Sequence, residues 1–68
     1  MRYHVRLYWE EVGLFMTMKK YNTKKYAIRF SEDLEKEFPN LIGEVVDAEH
    51  HRYKDRWEPM IIKEWGLK

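Results

Sequence analysis

Residues 2 to 9 alternate strictly between two kinds of position. Tyr3, Val5, Leu7 and Trp9 fall on one side of an extended chain, and Arg2, His4, Arg6 and Tyr8 fall on the other. That period of two is what a half-buried strand requires. Glu10, Glu11, Val12 and Gly13 then read as a tight connection or a bulge, the glycine supplying the backbone freedom of a sharp reversal. A second strand follows, with Leu14, Met16 and Met18 pointing inward and Phe15, Thr17, Lys19 and Tyr21 outward. Asn22, Thr23 and Lys24 form a polar turn, after which Tyr26, Ile28 and Phe30 alternate with Lys25, Ala27 and Arg29. Residues 2 to 30 therefore predict a three-stranded meander.

The pattern changes at Ser31. Its hydroxyl is placed to cap free backbone amides, and Glu32, Asp33 and Glu35 would oppose the positive end of a helix dipole. Pro39 ends that helix, giving a short element over residues 31 to 38 that docks through Leu34 and Phe38, four apart. Residues 41 to 53 fit a helical stripe through Leu41, Ile42, Val45, Val46 and Tyr53, yet the pair Val45-Val46 favours a strand. Lys54, Asp55 and Arg56 turn into a last strand, Trp57 to Trp65, where Pro59 implies an edge or a bulge and Gly66 closes the element. The predicted fold is a single small α+β domain in the order β-β-β-α-β-β, either an antiparallel sheet or an OB- or SH3-like barrel.

Length bounds this picture, because 68 residues make one domain and leave no room for two cores. The chain has no cysteine. Disulfides, thiolate metal sites, iron–sulfur clusters and cysteine nucleophiles are thereby excluded, and a reducing compartment, the cytoplasm, is the expected setting. Charges interrupt the opening residues Met1 to Arg6 where a signal peptide would be apolar, and no apolar run has the length of a membrane span. Reinforcement must come from three Trp, five Tyr and three Phe, more large rings than so small a core can enclose. Surface Tyr and Trp are enriched at binding interfaces, so the surplus points to recognition.

The formal charge of +1 hides a segregation along the chain. Residues 1 to 30 carry seven basic against two acidic side chains, residues 31 to 50 one against seven, and residues 51 to 68 five against three. Catalytic chemistry finds little support in this arrangement. Ser31 is the only serine and is already explained as a cap, and Gly13, Gly43 and Gly66 belong to no phosphate-cradling loop. Asp47, Glu49, His50 and His51, with His4, have metal-ligand chemistry, but neighbouring histidines diverge on a strand and on a helix alike. The chain is expected to be no enzyme and to need no metal or cofactor.

Three surface features remain. His50, His51, Arg52, Tyr53, Lys54, Arg56 and Trp57 concentrate hot-spot residue types near a predicted turn and suit a protein partner. Arg2, Arg6, Lys19, Lys25 and Arg29, beside Tyr8, Phe15 and Tyr21, would line the outer face of the meander, where cations hold phosphates and rings stack bases of single-stranded nucleic acid. The acidic stretch from Glu32 to Glu49 could face a basic groove. The expected function is a small protein-binding regulator or inhibitor of a larger, nucleic-acid-handling complex, of the kind phages and mobile elements carry; the second reading is an OB-like single-strand binder. A pI near 8.0 with an acidic middle weighs against the latter. An edge strand containing Pro59 also allows a homodimer.

Overall fold

The computed structural model describes residues 1–49 and 60–66. The alternation of the first residues is realised as strand β1, Tyr3–Trp9, with Val5 and Leu7 buried. A turn at Glu10–Gly13 reverses the chain, Val12 N and Gly13 N both donating to the Trp9 carbonyl, and Gly13 takes a positive φ of 68°. Strand β2, Leu14–Tyr21, returns antiparallel to β1.

A bulge changes the phase of β2. Val5 stands opposite Lys19 and Arg6 opposite Thr17, so Met18 is an extra residue. Beyond it Tyr21 shares the face of Tyr3 and packs against the core, contrary to the outward position expected for it. Leu14, Met16 and Met18, expected inward, are all exposed. Leu14 and Met16 do share the face of Trp9 and Leu7, but the helix packs over β1, β3 and the other end of β2.

Helix α1, Lys24–Glu37, replaces both the predicted third strand and the short helix over 31 to 38. The stripe Ala27, Phe30, Ser31 and Leu34 has the three- and four-residue spacing of a helix face, and no Gly or Pro interrupts it. Ala27 and Ser31 are buried against the sheet, flanked by Ile28, Phe30 and Leu34, while Tyr26 is exposed. Ser31 is therefore no cap: its hydroxyl lies in the middle of the helix and donates to the Ile28 carbonyl at 2.6 Å. Thr23, at the true start, has extended backbone and makes no side-chain cap. The end is as expected, with Phe38 N donating to the Leu34 carbonyl just before Pro39.

Strand β3, Gly43–Asp47, is the strand favoured for this part of the chain, and all five of its residues are buried. Strand β4, Met60–Trp65, supplies the described part of the last strand and ends at Gly66, where φ is +80°. The sheet order is β2-β1-β3-β4, every pair antiparallel, and among the described residues β2 and β4 are its edges. The α+β class holds, and the described residues run in the order β-β-α-β-β and form a sheet that is not closed into a barrel. Pro59 and the proposed turn at Lys54 to Arg56 lie outside the described residues. Among the described residues the core is Val5 and Leu7 of β1, Ala27 of α1, Val45 of β3 and Trp65 of β4.

Candidate interaction surfaces

The face of the sheet turned away from α1 brings together three of the residues expected to bind nucleic acid. Tyr8 meets Phe15 edge to face at 5.3 Å between ring centroids, and the Arg6 guanidinium lies 5.5 Å from the Phe15 ring. Arg6 is also committed to a carboxylate. Its guanidinium pairs at 2.7 Å with Glu44, which is buried on β3 directly opposite. A cation neutralised in this way has little charge left for a phosphate.

Arg2 is held similarly. Its Nε and one terminal nitrogen donate to the two carboxylate oxygens of Asp47 at 2.9 and 2.8 Å, a bidentate pair, and Asp47 also accepts from Glu49 N. The hydrogen bond and the charge of Asp47 raise the Arg2 guanidinium further above its already high ordinary value. The other four residues of that set lie elsewhere. Lys19 and Tyr21 are on the helix side, where Lys19 Nζ stands 5.6 Å from the Tyr21 ring and 5.7 Å from Phe30. Lys25 and Arg29 belong to α1 and are exposed. The eight residues thus occupy three surfaces rather than one platform.

The acidic stretch divides too. Glu32, Asp33, Glu35 and Glu37 are exposed on α1, whereas Glu44 and Asp47 are buried in ion pairs. Glu35 accepts from Lys63 Nζ at 3.3 Å, and Lys63 also reaches the Ser31 hydroxyl at 3.2 Å. His4 Nε2 lies 2.9 Å from the Met1 carbonyl. Among the described residues no three metal-ligating side chains converge, and no helix is long and apolar enough to cross a membrane. His50, His51, Arg52, Tyr53, Lys54, Arg56 and Trp57 lie outside the described residues.

The feature that the alternation concealed is an apolar band on the β1–β2 hairpin. Trp9, Val12, Leu14, Met16 and Met18 are all exposed, Leu14 to 64%. Phe38 and Leu41, which follow α1, are exposed as well. Trp9 and Leu41 line a groove of about 310 Å³ whose rim carries Glu10, Glu11 and Asn40. Tyr8 N donates to the Ile42 carbonyl at 2.9 Å and fixes this junction of hairpin and helix exit. The signal was present in the sequence as four apolar residues in five positions, Leu14, Phe15, Met16 and Met18. Assigning them to a core required an element to cover them, and α1 lies elsewhere.

Comparison with known proteins finds no matching family model, curated protein or solved structure for this chain.

Proposed function

We propose that this chain is a non-enzymatic protein-binding module, acting as a regulator or inhibitor of a larger complex through the β1–β2 hairpin. The carrying observation is the exposure of five large apolar side chains, Trp9, Val12, Leu14, Met16 and Met18, within ten consecutive residues. Soluble single domains seldom leave a contiguous apolar patch uncovered unless something binds there. The band has the composition of an interface centre, Trp and Met, with Glu10, Glu11, Lys19 and Lys20 as a charged rim.

The segment from His50 to Trp57 supplies a second contact region under the same reading, on its content of Tyr, Trp and Arg. The cysteine-free composition supports a cytoplasmic setting. The reading is tested by chemical cross-linking in the source cell with the wild-type chain, with Leu14→Glu/Met16→Glu, and with Tyr53→Ala/Trp57→Ala. Loss of the same cross-linked protein from the hairpin variant, with its circular dichroism unchanged, supports the hairpin as the contact. A protein captured equally by all three chains refutes both contact regions.

A further inference from the structure

Among the described residues β2 has a single neighbour, and none of them pairs with the outer backbone edge of Leu14–Tyr21. Open edges are templates for pairing unless charge, proline or a bulge blunts them. Protection here is confined to one half. The Met18 bulge, Lys19 and Lys20 guard the C-terminal end, while Leu14, Phe15, Met16 and Thr17 carry no charge and no proline. The hairpin is also polarised. Glu10 and Glu11 stand at the turn and Lys19 and Lys20 at the far end, all four exposed.

We propose that this edge pairs with the β2 edge of a second copy of the chain, antiparallel about a two-fold axis normal to the sheet near Phe15 and Met16. The inference rests on the protein-binding reading and adds a second copy of the chain as a partner of the same hairpin. Antiparallel apposition brings the Lys19–Lys20 end of each copy beside the Glu10–Glu11 turn of the other, so the charge complementarity is made twice. Parallel apposition would set lysines against lysines and acids against acids. An axis normal to the sheet keeps the faces in common, which places Leu14 of one copy beside Met16 of the other on the α1 side. The Met18 bulge limits regular pairing to Leu14–Thr17, and the product is a continuous sheet with twice the four strands of one copy.

Sedimentation velocity on the full chain tests this with two charge variants, Lys19→Glu/Lys20→Glu and Glu10→Lys/Glu11→Lys. All four positions are exposed, so both variants should keep the wild-type circular dichroism. Wild-type chain is expected to reach the mass of two copies, each variant alone to dimerise at least about tenfold more weakly, and an equimolar mixture of the two to recover the dimer. A dimer indifferent to both variants, or a mixture that recovers nothing, overturns the proposal. So does a wild-type chain that stays single at its highest soluble concentration. In that case, a cross-linked protein still lost from Leu14→Glu/Met16→Glu leaves the protein-binding reading standing, and its absence removes both.

Discussion

The indole of Trp65 lies against the backbone of Gly43, its opposite residue on the neighbouring strand, and fills the space that a side chain at Gly43 would need. Gly43 is buried in a central strand, and Trp65 belongs to the core. Gly43→Ala must therefore displace either the strand or the ring, and overpacking of this kind costs about 1–3 kcal/mol. The urea midpoint is expected to fall accordingly. No described residue accepts a hydrogen bond from the buried Trp65 Nε1. Trp65→Phe removes that orphan donor and some bulk, so in the Gly43→Ala background it should recover part of the loss.

Arg6 and Glu44 form the ion pair with most at stake. Glu44 is buried, and its partner's side chain is about a third exposed at 30%. Arg6→Ala strands a carboxylate beneath the open face. The expected cost is about 3 kcal/mol, the low end for breaking a buried pair because Arg6 is partly solvated. Arg6→Met/Glu44→Leu removes both charges and should be clearly more stable than Arg6→Ala by chemical denaturation. Equal instability of the single and double variants would mean that lost packing, not the stranded charge, dominates.

Much of the fold was legible because period and burial agree. β1 follows from strict alternation, β3 from Val45 and Val46, and the end of α1 from Pro39. The start of α1 was hidden by its own chemistry. Thr23 makes no cap, and the first turn carries Lys24 and Lys25 rather than acids, while Ser31-Glu32-Asp33 imitates a start in mid-helix. Tyr26, Ile28 and Phe30 complete the illusion by alternating, although Ala27, Ser31 and Leu34 are the positions that face the sheet. The candidate surface was missed for a different reason. Leu14 and Met16 do share the face of Leu7 and Trp9, but α1 packs over β1, β3 and the Tyr21 end of β2 and leaves them uncovered. The Met18 bulge, which the alternation did not announce, accounts only for the inward turn of Tyr21.

Ser31 gives the helix-to-sheet contact a specific test. It is wholly buried, donates to the Ile28 carbonyl and accepts from Lys63, which also pairs with Glu35. Ser31→Ala deletes the hydroxyl but leaves Lys63 its carboxylate, so the loss should be about 1 kcal/mol. Ser31→Leu forces a larger side chain between α1 and the sheet and should destabilise more. Thermal unfolding of the two variants reads the order; a surface-capping serine would tolerate leucine better than this.

The Arg2–Asp47 pair predicts how stability responds to alkali. Asp47 raises the guanidinium above its ordinary value in the folded state, so this stabilisation is fully present below the unfolded value and is lost only as pH rises through the folded one. Both lie beyond working conditions. The difference in stability between wild type and Arg2→Gln should thus be constant from about pH 7 to about pH 10. Arg2→Lys behaves differently, because a lysine titrates near about 10.4 when unperturbed and cannot make the bidentate contact. Its midpoint should approach that of Arg2→Gln as the pH passes through that range.

The same ion pairs decide what single-stranded nucleic acid would meet. A platform needs free cations beside exposed rings on one surface. Arg2 and Arg6 are engaged by Asp47 and Glu44, Lys19 stands over Tyr21 and Phe30, and Lys25 and Arg29 lie on the helix. Fluorescence anisotropy with labelled oligothymidine and oligouridine should therefore show only weak binding at low salt. Binding through Arg6, Tyr8 and Phe15 would demand that Arg6 exchange Glu44 for phosphate, leaving the carboxylate buried and unpaired. Glu44→Gln tests that competition directly by freeing Arg6 from its counter-charge. If the variant binds no more tightly than wild type, phosphate contact at this face is absent in both; a gain that weakens steeply with salt would show that Glu44 is what holds the face closed to nucleic acid.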